Sequence, residues 1–342
     1  MCPASASRAS EPVSSPPTTS VRVNATVIAK AATSARRLRA RSCSPPCRCS
    51  CCSATRPGPP YPAYSSVPGS SLRITPTVHH GSLKPHPFPR GRAAMSVAPR
   101  AVIFDLGGTL VDWPEWDTDG PRRWGRAYDY LVTRVPRPDW PERAAFVAAM
   151  SEAERAHWLR VETEHWSCPP STLVRDGFRR LGLPVREREL LAVLDGYARA
   201  VDGWAVAFPD AVPTLRELRA RGYRLGLLSN TWWAADWHNA DLATHGLAEL
   251  LDEVVYTSDL PHSKPHPSVF LETAVRLGVP PAACVMVGDR PLDDIAGALG
   301  VGMRAVWKTN GRPRSKTDDL VPSATIAHLG ELPSLLRAWG GD

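Results

Sequence analysis

The stretch Ala101-Val-Ile-Phe-Asp-Leu-Gly-Gly-Thr-Leu-Val-Asp112 governs how the rest of the chain is read. Apolar residues run straight into Asp105, and two glycines follow. A continuous apolar run bounded by glycine predicts a strand buried on both faces that stops abruptly. Asp105 then stands at the carboxyl end of a central strand, where open α/β sheets place their ligands. Taken alone, its carboxylate has two readings: a cap for the next backbone turn, or a nucleophile and metal ligand.

Working outward, strands are expected at 224–229, 253–256, 284–288 and 304–307, with a further one at 324–326. Helical periodicity fills 211–221, 237–251 and 267–277, and one more helix is expected near Ile295. Pro213 fits only the first turn of its helix. Alternating strand and helix implies a parallel sheet with right-handed crossovers and helices on both faces. Residues 113–205 break the pattern. They read as helices near 121–134, 141–161, 170–182 and 187–201, separated by proline-bearing turns. The expected fold is therefore α/β, a doubly wound parallel-sheet, Rossmann-like core formed by 95–112 and 206–342, with an inserted α-helical cap at 113–205.

Charge divides the chain. Residues 1–94 hold thirteen Lys or Arg against Glu11 alone, whereas the remaining 248 residues hold 28 basic and 33 acidic ones. The body is mildly acidic and carries no signature of a nucleic-acid surface. Six of the eight cysteines also fall in the first 94 residues. Only Cys168 and Cys284 remain, which argues against a disulfide framework and suits a reducing, cytoplasmic compartment. No apolar run approaches ~20 residues, so no membrane span is expected.

The first 94 residues are rich in Ser, Pro, Ala and Arg and contain none of the twelve tryptophans. Such a segment cannot bury enough apolar area to offset chain entropy, and disorder is expected. Its composition resembles GC-rich DNA translated in frame, and Met95 precedes the first strand as a natural start would. A transit segment is the second reading. Metal binding by the cluster from Cys43 to Cys52 is the third, but the paired spacing of a zinc site is missing.

Four pieces of the body carry chemistry: Asp105-x-x-Gly-Thr-Leu, Leu228-Ser229-Asn230, Lys264-Pro265, and Gly288-Asp289-x4-Asp294-Ile-Ala-Gly-Ala. In this order they resemble the haloacid dehalogenase-like hydrolase superfamily, over roughly residues 100–330. The resemblance implies that Asp105 attacks phosphorus and forms an aspartyl-phosphate, which water hydrolyses. It implies Mg²⁺ held by Asp105, the Gly107 carbonyl, Asp289 and Asp294, with Asp293 a solvated neighbour. It further implies that Ser229 and Asn230, with backbone N–H groups of the Gly107-Gly108-Thr109 turn, bind the phosphate. Lys264 would neutralise both nucleophile and phosphate. The chain uses five lysines against thirty-six arginines, and Lys264 is the only lysine between 95 and 307. A solitary ammonium amid guanidinium groups suggests a need for a compact charge.

One position departs from the family pattern. Most phosphatases of the superfamily carry a second Asp two residues after the nucleophile as general acid and base, and here Gly107 stands there. General acid–base help is worth on the order of 10²–10⁴ in rate. Four explanations compete: a substrate with a good leaving group, a donor from the cap (His157, Glu162, Glu164 or His165), haloacid dehalogenase chemistry, or a catalytically weak phosphate-compound-binding protein. Phosphonate cleavage through a cap lysine falls, because residues 113–205 contain no lysine. The expected activity is phosphoric monoester hydrolysis of a small phosphorylated metabolite, with neither nucleic acid nor membrane as partner. Trp113, Trp116, Trp232, Trp233 and Trp237 have two readings, packing or an apolar substrate pocket. His262 and His266 are expected to be solvated.

Overall fold

The computed structural model describes residues 97–310 and 320–340. The expectations for residues 1–94 lie outside the described residues. Six parallel strands form one sheet in the order β5-β4-β1-β6-β7-β8. Here β1 is Ala101–Phe104, β4 Arg224–Ser229, β5 Glu253–Tyr256, β6 Cys284–Gly288, β7 Arg304–Lys308 and β8 Ala324–Ile326. β1 is central, and Phe104 is level with Leu227 on one side and Val287 on the other. The carboxyl ends of β1, β4 and β6 therefore lie side by side.

The alternation of side chains along a strand explains the layers. Val102 and Phe104 point to one face, where they pack with Leu215 and Leu218 of the helix Ala211–Ala220 and with Leu332 and Leu336 of the helix Leu332–Ala338. Ala101 and Ile103 point to the other, against Val269, Phe270, Ala274 and Leu277 of the helix Pro267–Leu277. Both faces are covered, as the unbroken apolar run requires.

Between β2 (Val111–Asp112) and β3 (Val206–Ala207) the chain forms four helices, α1 Gly120–Arg134, α2 Arg143–Glu164, α3 Pro170–Arg180 and α4 Glu187–Val201. β2 and β3 pair antiparallel and clamp the two passages between these helices and the sheet. At two residues each, they carry too little pattern to be expected from sequence. The helices close on their own hydrophobic cluster, which includes Leu131, Phe146, Phe178, Val193 and Tyr197. Trp232 and Trp233, from the loop after β4, belong to that cluster too and are essentially fully buried. Packing thus accounts for these two tryptophans, and the pocket reading fails for them.

Three local expectations need correction. The helix placed at 237–251 runs only from Ala235 to Thr244. Gly246 takes a left-handed φ of 65° and breaks it, and a separate turn, Ala248–Leu250, follows. The helix placed near Ile295 starts at Pro291 with a widened turn, Pro291–Ala296, and continues as Gly297–Gly300. The helix Leu332–Ala338 was not anticipated. Among the described residues no helix is long and apolar enough to cross a membrane. Cys168 and Cys284 are buried free thiols.

Candidate active site

Asp105 follows β1 directly, and its backbone N–H donates to the Val287 carbonyl at 2.9 Å. That bond extends the ladder by one residue and fixes the carboxylate at the sheet's edge. Lys264 reaches it from the loop after β5. Its Nζ donates to Asp105 Oδ1 at 2.6 Å, to Asp294 Oδ1 at 2.6 Å and to the Leu228 carbonyl at 3.0 Å. An ammonium has three N–H groups, so all three are engaged. Burial alone would lower the Lys264 pKa, but the charges of Asp105 and Asp294 outweigh it and hold it above the ordinary lysine range. Burial raises the pKa of Asp294, and the Lys264 charge works against that rise.

Oxygens of Asp105, Asp289 and Asp294 all lie within 4.8 Å of one another. Two glycines make this possible. A Cβ on Gly108, whose φ is +72°, would sit 2.4 Å from Asp289 Oδ2. A Cβ on Gly288 would sit 2.2 Å from Asp294 Oδ2. Three carboxylates against one lysine leave an excess of negative charge, and hard oxygen donors in that arrangement fit a divalent cation such as Mg²⁺. Asp294 Oδ2 also accepts the Arg290 backbone N–H at 3.0 Å. Asp294 is therefore locked from two sides inside its helical turn rather than capping a later one. Asp293 pairs with Arg290 at 3.4 Å, toward the surface.

Ser229 ends β4 as a buried residue, and Thr109 Oγ1 is buried with no hydrogen-bond partner among the described residues. Three expected phosphate contacts are otherwise engaged. The Gly108 N–H donates to the Val111 carbonyl at 2.8 Å and the Thr109 N–H to the Leu106 carbonyl at 3.2 Å, because the turn closes on itself. The Asn230 side chain grips the Lys264 backbone, donating to its carbonyl at 3.1 Å and accepting its N–H at 2.8 Å. Asn230 thus positions Lys264.

Sequence reasoning missed Lys308 and Asn310. Lys308 is 2% exposed, donates to the Gly108 carbonyl at 3.2 Å, and lies 3.5 Å from the centroid of the Phe208 ring. Asn310 Nδ2 donates to the same carbonyl at 2.6 Å and its Oδ1 accepts from Lys308. Together they brace the nucleophile turn from behind. The scarcity of lysine that flagged Lys264 applies equally to Lys308.

The candidate proton donors of the cap are scattered. His157 is buried beside Cys168, with Nδ1 3.6 Å from Sγ, and burial pushes its pKa down to about 4. Glu164 pairs with Arg160 at the surface, and Glu162 is exposed. His165 ends α2, and its carbonyl accepts the Ser263 N–H at 2.9 Å, tying the helices to the Lys264 loop. His262 and His266 are partly rather than fully solvated. Both are half-buried, with rings stacked at 3.8 Å, and His266 Nδ1 accepts the Ser268 N–H at the start of the next helix.

The sequence profile of the haloacid dehalogenase-like hydrolases matches residues 99–302. The chain belongs to that family. Among its hydrolase relatives, a glyceraldehyde 3-phosphate phosphatase of Methanopyrus kandleri is 32% identical over 48% of this chain and 71% of its own. A phosphoserine phosphatase of Thermus thermophilus is 32% identical over 59% of this chain and 80% of its own. Among solved structures, a 2-haloacid dehalogenase of Pseudomonas syringae pv. Tomato DC3000 is 30% identical with a TM-score of 0.54, over 70% of this chain and 99% of its own.

Proposed function

We propose that this hydrolase is a Mg²⁺-dependent phosphatase of small phosphorylated metabolites that works through a phosphorylated Asp105. The observation that carries this reading is the meeting of Asp105, Asp289 and Asp294 beside Lys264. A carboxylate attacking a phosphate dianion needs positive charge between them, and the three acids with one lysine are arranged to gather it. Mg²⁺, when bound, supplies that charge, with Asp105, Asp289 and the Gly107 carbonyl as its ligands and Asp294 as support. Lys264 holds Asp105 Oδ1, which leaves Oδ2 as the attacking atom. Ser229, Thr109 Oγ1 and the amides of Leu106 and Gly107 are the donors for the phosphate oxygens. The phosphatase names of the two relatives agree with this reading.

Haloacid dehalogenation is the second reading, favoured by Gly107 and by the dehalogenase likeness. One assay separates the two. Phosphate monoesters and acyl phosphates are tested with Mg²⁺ and with a chelator, alongside a 2-haloacid. Mg²⁺-dependent phosphate release that Asp105→Asn abolishes is the expected result. Halide release unaffected by chelation would replace the phosphatase reading.

A further inference from the structure

Lys264 has no proton to give to a leaving group, since its three N–H groups are committed to Asp105, Asp294 and the Leu228 carbonyl. Lys308 spends two of its three N–H groups on the Gly108 carbonyl and Asn310, and its ammonium faces the Phe208 ring. Asp294 has one oxygen on Lys264 and the other on the Arg290 amide. On its Gly107 side the nucleophile turn packs against an indole. A Cβ on Gly107 would lie 3.1 Å from Trp113 Cζ3. Trp113 is itself held edge-on against Trp233, with centroids 5.6 Å apart, and Trp233 is anchored in the helical cluster. An acidic side chain at position 107 would thus press against a braced aromatic ring.

We propose that the substrates are phosphates whose leaving group departs as a stable anion, namely acyl or aryl phosphates, and that alkyl phosphates are poor substrates. This inference rests on the phosphatase reading. Asp105 Oδ2 forms the new bond to phosphorus while the bond from phosphorus to the leaving oxygen breaks, and its electron pair leaves as a carboxylate or phenolate. No proton is required. Water then attacks phosphorus, the bond to Asp105 breaks with its pair returning to the carboxylate, and both protons of the water leave with dihydrogen phosphate.

The test is a leaving-group series: kcat/KM with Mg²⁺ for aryl phosphates of increasing phenol pKa, acetyl phosphate, and an alkyl phosphate. Rates are expected to fall steeply as leaving-group pKa rises, with a deficit on the order of 10²–10⁴ at the alkyl end, the usual contribution of a general acid. A flat series would overturn the inference while leaving the phosphatase reading intact, because some group would then be donating a proton. Absence of phosphate release from every compound would overturn both. A double variant, Gly107→Asp with Trp113→Ala, supplies an acid and makes room for it. It should raise the alkyl rate selectively, and an equal gain on aryl phosphates would count against the proposal.

Discussion

Two buried charge networks invite comparison, one at the sheet edge and one among the helices. At the edge, Lys264 faces Asp105 and Asp294 at 2.6 Å each, with Asp289 close by. In the helical part, Arg123 and Glu154 are also buried, 3.9 Å apart. Arg123 donates to Tyr197 Oη at 2.9 Å and lies 4.1 Å over Trp116, while Glu154 accepts from Trp124 at 2.8 Å and Trp232 at 3.3 Å. The second network balances two guanidinium groups, Arg123 and Arg122, against Glu154 and Asp119, which also lies 3.9 Å from Arg123, and indole rings seal its buried part. The first holds more acid than base and sits where three strands end. A balanced, sealed network specifies packing, whereas an unbalanced one at a sheet edge is prepared for a cation.

The comparison can be broken at either end. Lys264→Met should have the largest effect, lowering kcat/KM by about 10³-fold, the scale of losing a preorganised donor in a dry site. Lys264→Arg should not restore activity, since a planar fork cannot bridge two carboxylates and a carbonyl as a point ammonium does. Trp232→Ala should instead cost stability, about 3–5 kcal/mol by chemical denaturation. Its kcat per folded molecule should stay near that of the unsubstituted protein. A large kcat loss with unchanged stability would make the aromatic cluster part of the chemistry.

The helical side also predicts a pH dependence. Burial pushes the His238 pKa down to about 3, and burial followed by Arg160 pushes His157 down to about 4. A histidine depressed in the folded state binds fewer protons there than in the unfolded chain. Its contribution is complete above its unfolded pKa of about 6.5 and is lost as pH falls toward the folded value. Unfolding free energy should therefore drop between about pH 6.5 and 4, by on the order of 3 kcal/mol for His157. His157→Gln should flatten that slope, and an unchanged slope would show that His157 does not titrate in this way. The smallest effect is expected at Lys308. Lys308→Met should lower kcat about tenfold, equivalent to about 1.4 kcal/mol, by loosening the Gly108 carbonyl, with KM changed less.

Much of the sheet edge was legible because β geometry transmits sequence position into space. Once Asp105, Ser229 and Asp289 each end an apolar strand, parallel register brings them to within one residue of level without help from side-chain packing. Lys264 stood out by its rarity and by its Lys-Pro place in the order of the four pieces. The engagement of Asn230 with the Lys264 backbone, and of the Gly108 and Thr109 amides within their own turn, was not legible. Those contacts depend on loop closure, which no periodicity records. The helices were placed within a few residues, yet the burial of Trp232 and Trp233 among them was not decided by sequence. It arises from two segments distant in the chain packing into one cluster. Trp113 over Gly107 belongs to the same class: the glycine was visible, the ring that fills its space was not.

The most direct test of the account is mass spectrometry of the protein quenched in acid during turnover of an aryl phosphate with Mg²⁺. One phosphoryl group on the peptide containing Asp105, absent in Asp105→Asn, is the predicted result. Steady phosphate release with no modification of that peptide, or with the modification elsewhere, would contradict it.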